Sequence, residues 1–135
     1  MSVSFWLKLY LLTIPVFFVI DMIWLGYVAK SFYAEQLQSL LSPRVNWIAA
    51  FCFYAIYIAG ILFFAVHPGL QAASLGKACL YGALFGLVTY ATYDLTNLAT
   101  LRDWPLLVSV VDIAWGTFLC TLVAGGSYLI GSWLR

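Results

Sequence analysis

Three carboxyls lie inside otherwise apolar stretches: Asp21 in "DMIWLG", Asp94 in "YATYDLTNLATLRDWP" and Asp112 in "VVDIAWG". The chain has only five acidic residues in all, so three of five are spent on segments where a charge costs at least ~2.5 to 3.5 kcal/mol at the bilayer centre on insertion scales. Carboxyls clustered in low dielectric can couple ligand binding to protonation, or divide acid and base roles between them. They can also form a hydrogen-bonded knot with hydroxyl, amide and indole groups that only locks the helices together. Ionisable groups within a membrane are functional candidates by default, and no Lys or Arg shares these spans' interiors to pair with them. The functional reading is preferred on that ground.

Local spacing adds neighbours to each carboxyl. Trp24 and Trp115 each follow an aspartate by three residues, which puts indole and carboxyl on one helical face. Tyr90, Asp94 and Asn97 follow an i, i+4, i+7 row, with Tyr93 and Thr96 alongside. Arg102 sits over the same mouth as the one cation near enough to recruit an anionic ligand, although pairing with Asp103 at the surface is the more ordinary arrangement. The expected ligand site is therefore Asp21, Trp24, Tyr90, Tyr93, Asp94, Thr96, Asn97, Arg102, Asp112 and Trp115, with the three aspartates as candidates for any catalysis.

The elements that position these residues are membrane helices. With 65% hydrophobic and 8% charged residues, against roughly a quarter charged in soluble domains, the 135-residue chain is an integral membrane protein. Four apolar stretches, Phe5 to Val28, Asn46 to Val66, Leu75 to Leu98 and Leu106 to Gly131, each exceed the roughly 20 residues that cross a hydrocarbon core about 30 Å thick. The first is too long for a signal-peptide core, contains Pro15 and Asp21, and is read as a retained helix. The expectation is one all-α domain over residues 1–135, a four-transmembrane-helix antiparallel bundle with a short interfacial helix between helices 1 and 2. That short helix would show Tyr33, Leu37, Leu40 and Leu41 on one face and lie over the bundle end.

Antiparallel order fixes the depths. Asp21 lies seven residues before Val28, Asp94 four before Leu98 and Asp112 six after Leu106, all at the same side of the membrane. At about 1.5 Å per residue the three carboxyls fall roughly 6 to 11 Å below one interface and can meet. Trp47 and Trp104 mark that interface, Trp6 and Trp133 the other. His67, ahead of Pro68 and Gly69, is placed at an interfacial turn. Gly82 and Gly86 make a G-x-x-x-G pair read as helix packing, and Tyr54, Tyr57 and Gly60 are read as core.

Together, "DMIWLG", "YGALFGLVTYATYDLTNLATLRDWP" and "VVDIAWG" resemble the bacterial membrane-protein family known as domain of unknown function 2177. The resemblance covers nearly the whole chain and implies a four-span membrane protein of the bacterial inner membrane. It brings no activity, substrate or cofactor with it.

Several classes lack support. A formal charge of +1 gives no basic stripe for nucleic acid. Cys52, Cys79 and Cys120 fall in different helices without C-x-x-C spacing, and one histidine cannot anchor zinc, so no metal and no cofactor are expected. G-x-S-x-G, P-loop, H-E-x-x-H and dinucleotide fingerprints are absent. What stands is a binder or proton-coupled carrier of a small molecule or lipid, expected to work as a homodimer because one such bundle makes a poor pathway alone. The alternatives are an enzyme using paired aspartates on an apolar lipid or isoprenoid, and a non-catalytic assembly partner. Cations divide three against three between the two sides, leaving orientation to a lean towards cytoplasmic termini.

Overall fold

A computed structural model describes all residues from Met1 to Arg135, and every regular element in it is helical. Helix α1 runs Val3–Val28, α2 Lys30–Leu37, α3 Trp47–Gln71, α4 Leu75–Thr100 and α5 Leu106–Leu134. Side-chain caps start three of them: Ser2, Asn46 and Ser74 each accept a backbone N–H from the first turn of α1, α3 and α4. Pro105 precedes α5, where a missing N–H costs nothing.

Helices α1, α3 and α5 are 26, 25 and 29 residues long and apolar enough to cross a membrane. Helix α4 has the length, 26 residues or about 39 Å, but not the same apolarity. Its sequence is interrupted by Gly76, Lys77, Gly82 and Gly86, and its second half carries Thr89, Tyr90, Thr92, Tyr93, Asp94, Thr96 and Asn97. Only 27 of 135 residues are buried, and large apolar side chains such as Leu11, Val19, Ile48, Ile56 and Phe118 face outward, the pattern of a chain solvated by lipid.

Neighbouring long helices run antiparallel. Trp6 meets His67 edge-on at 5.3 Å across α1 and α3, while the Thr13 and Ser127 hydroxyls lie 2.9 Å apart across α1 and α5. Helices α4 and α5 pack most intimately. A Cβ on Gly82 would meet the Cys120 carbonyl oxygen at 2.5 Å and the Ala124 Cβ at 2.6 Å, so the expected glycine pair does bring two backbones together. The core, including Leu9, Phe17, Ile61, Val66, Leu119 and Val123, fills the middle of the assembly.

Three local features differ from the sequence expectations. Helix α3 continues through His67 and Pro68 to Gln71, because a π-helical turn at Leu62–Val66 precedes them and proline falls at the start of the next turn. The chain turns instead at Ala72 to Ser74, where Ala73 has φ 49°. The interfacial helix is shorter than expected, stopping at Leu37 because Gln38 takes φ 27°, so Leu40 and Leu41 leave its face and are exposed.

Candidate functional site

Helix α1 ends in a second π-helical turn, Trp24–Val28, closed by the Ala29 N–H on the Trp24 carbonyl at 2.7 Å. Just before this turn Asp21 points inward, 5% exposed, and at its start Trp24 lies against Trp115 of α5. The Trp24 and Trp115 rings stack at 4.4 Å with planes 5° apart. This stack joins the two D-x-x-W elements, as their spacing implied.

Asp21 accepts from Tyr54 Oη on α3 at 3.2 Å and from Trp115 Nε1 on α5 at 3.4 Å, so three helices converge on one carboxyl. Asp112 lies within electrostatic reach and accepts from Tyr33 Oη at 2.7 Å. Tyr33 in turn accepts from Trp24 Nε1 at 3.1 Å, which fastens α2 across the bundle end. Burial pushes the Tyr33 phenol up from its ordinary value of 10.0, with the nearby Asp112 carboxyl acting the same way, and so keeps the hydroxyl a donor.

Asp94 occupies the far side of Asp112. It is fully buried, its carboxyl faces that of Asp112, and neither of its oxygens accepts a hydrogen bond from an N–H or hydroxyl. Beside it Trp104 Nε1 donates to Ser109 Oγ at 3.0 Å and Ser109 donates to the Asp94 backbone carbonyl at 3.1 Å, pinning the α4–α5 connection. The three carboxyls thus form a row, Asp21, Asp112, Asp94, and no three His, Cys, Asp or Glu side chains come together as a metal-holding group.

Asp21 and Asp112 border a cleft of about 790 Å³ between α3 and α4. These helices touch closely beside their connecting turn and splay apart towards the carboxyl end. Asp21, Asp112, Tyr54, Tyr90 and Trp115 line the polar end; Phe85, which covers Gly60, and Phe64 line the apolar end. Within it the Tyr57 hydroxyl is 2.7 Å from Thr89 Oγ1 and 3.1 Å from Cys120 Sγ. Ile56, Phe64, Val88 and Tyr93 are both lining and outward-facing, so the cleft opens sideways from the helix assembly.

Of the ten expected residues, Asp21, Trp24, Asp94, Asp112 and Trp115 come together, and Tyr90 and Tyr93 line the same cleft. Asn97 stays beside Tyr93, outside the cleft lining. Thr96 is exposed and its hydroxyl bonds back to the Thr92 carbonyl; Arg102 is exposed on the connecting loop and does not line the cleft. Tyr33, Tyr54 and Ser109 are the participants that sequence reasoning missed, and Tyr54, Tyr57 and Gly60, read as core, border the cleft.

No curated protein and no solved structure matches the chain. A family model described as "Predicted membrane protein (DUF2177)" matches residues 6–129, and the chain therefore belongs to that family of membrane proteins of unknown function.

Proposed function

We propose that this protein binds a lipid-like molecule in the lateral cleft, with the molecule's polar head at the Asp21–Asp112 end and its apolar part against Phe64 and Phe85. The observation that carries this reading is the cleft itself, about 790 Å³, apolar along most of its length, polar at one end and open on the lipid-facing side. That volume falls in the range of roughly 300 to 1,000 Å³ typical of small-molecule sites. Along α3 the lining runs from Phe53 to Phe64, about 16 Å of helix, enough to hold a hydrocarbon chain parallel to the surrounding lipid tails.

The reading takes α4 as a fourth membrane span. Its polar residues are accommodated by turning Tyr90 and Thr89 to the cleft and Asp94 to α5, while Leu80, Leu84, Leu87 and Val88 face outward. We also place the chain as a multi-pass protein of a bacterial inner membrane, where a carrier role would engage a second copy. An enzymatic role is the second reading, favoured by the facing Asp94 and Asp112 carboxyls, which can hold one proton between them as donor and acceptor.

Mass spectrometry of lipids and metabolites retained by the purified protein tests the binding reading. Ile56→Trp fills the cleft mouth from a side chain that is 74% exposed, and Ile48→Trp adds the same bulk to the same helix outside the cleft. A molecule retained by the native chain and Ile48→Trp but lost from Ile56→Trp is the expected result. Equal retention by all three proteins would overturn it.

A further inference from the structure

Resting on the cleft-binding reading, we infer that the head group the cleft selects is an organic cation, making the ligand a cationic amphiphile such as a long-chain amine or quaternary ammonium compound. The charged residues on its lining are two carboxyls, Asp21 and Asp112; no Lys, Arg or His is among them. Behind Asp112 lies the fully buried Asp94, whose two oxygens accept no hydrogen bond from an N–H or hydroxyl. Acidic groups gathered without a protein cation leave that role to the ligand, and an anionic head would find no Lys, Arg or His on the lining to pair with.

The walls fit the same chemistry. Around the carboxyls stand Tyr54, Tyr57, Tyr90 and Trp115, and aromatic faces hold quaternary and alkyl ammonium groups through the ring quadrupole. Desolvation strengthens this attraction, and Asp21 and Tyr57 are buried in the cleft wall. Arg102, the cation expected to recruit an anion, lies on the exposed loop away from the lining, which removes the sequence-based ground for an anionic ligand.

Three probes with one chain length separate head-group choice from cleft binding: dodecyltrimethylammonium, dodecanol and dodecanoate. Saturable uptake of each is measured on the full chain in zwitterionic lipid nanodiscs, after subtraction of uptake by empty discs. The ammonium probe is expected to bind at least ~10-fold more tightly than dodecanoate, a factor that corresponds to about 1.4 kcal/mol, and Asp21→Asn to weaken the ammonium probe by at least ~10-fold more than it weakens dodecanol. Saturable binding that ignores the head, or favours dodecanoate, overturns the cation inference and leaves the cleft reading standing. Absence of saturable binding for all three overturns both. Should Asp21→Asn fail to fold, the comparison among probes on the native chain, with Ile56→Trp locating binding to the cleft, decides the matter alone.

Discussion

Tyr33 donates to Asp112 Oδ1 at 2.7 Å across 79 positions of sequence, and this bond ties the short helix α2 to α5 over the end of the cleft. Because Tyr33 also accepts from Trp24 Nε1, its hydroxyl links the carboxyl row to the Trp24–Trp115 stack. Removing it leaves a half-buried indole N–H and a carboxyl without their shared partner.

Tyr33→Phe is therefore expected to destabilise the protein by about 1 to 3 kcal/mol, the range for orphaning buried polar groups. It should also speed amide hydrogen exchange in α2. Tyr27→Phe, at a side chain 87% exposed, serves as control and should change neither. Exchange in α2 as slow in Tyr33→Phe as in the native chain would show that the hydroxyl does not hold this helix.

Asp94→Asn is expected to keep or raise thermal stability. The native carboxyl has no N–H or hydroxyl partner, whereas an amide of the same shape can donate to the facing Asp112. Asp94→Leu removes that option and sets an apolar group against a carboxyl, so it should be the less stable of the two. A thermal shift assay that placed Asp94→Asn well below the native chain would mean that Asp94 has a stabilising partner.

Gly86→Ala should separate α4 from α5. The new Cβ would collide with the Gly116 carbonyl oxygen and come within 2.9 Å of the Cys120 Cβ, and a backbone obstacle cannot rotate away. A loss of about 1 to 3 kcal/mol is expected, the usual cost of overpacking. Gly26→Ala, with nothing within 4 Å of the added atom, should be neutral or mildly stabilising by comparison in the same unfolding measurement.

Binding of an ammonium amphiphile should weaken as pH falls and strengthen as it rises, because protons and the ligand compete for the Asp21 carboxylate. That carboxyl is faced by Tyr54 on α3 and by Trp115 and Asp112 on α5. Dodecanol carries no charge and its binding should stay flat over the same titration. Parallel pH profiles for the two ligands would contradict carboxyl recognition.

Much of the site could be read from sequence because helix geometry is so regular. A rise of about 1.5 Å per residue and alternating helix direction are enough to bring Asp21, Asp94 and Asp112 to one depth, and i, i+3 spacing is enough to turn each indole to the face of its aspartate, where Trp115 bonds to Asp21 of the other element and Trp24 to Tyr33. Thr96 fails for the same reason that Trp24 and Trp115 succeed: two residues beyond Asp94 is about 200° around a helix with 3.6 residues per turn, and its hydroxyl finds the Thr92 carbonyl instead. Tyr33 and Tyr54 were not legible, since their partners lie 79 and 33 positions away and depend on how helices pack. The π-helical turns at Trp24–Val28 and Leu62–Val66 also escaped, because a one-residue widening leaves no mark on an apolar run that is already hydrophobic all round. Helix α4 lost apolarity for the reason that makes it useful: its second half is where the cleft and the carboxyl row take their polar groups.

A lipid-like ligand of the cleft would lie with its head at the carboxyls and its tail at Phe85. Photo-crosslinking with two alkylammonium probes, one carrying a diazirine beside the head and one at the tail end, tests it most directly when the labelled residues are mapped by peptide mass spectrometry. The head-end probe is expected to label residues near Tyr54 and Tyr90, the tail-end probe residues near Gly60, Phe64 and Phe85, and excess unlabelled ligand to remove both. Labelling spread over outward apolar faces such as Leu11 and Val19, with no difference between the two probes and no competition, would contradict it.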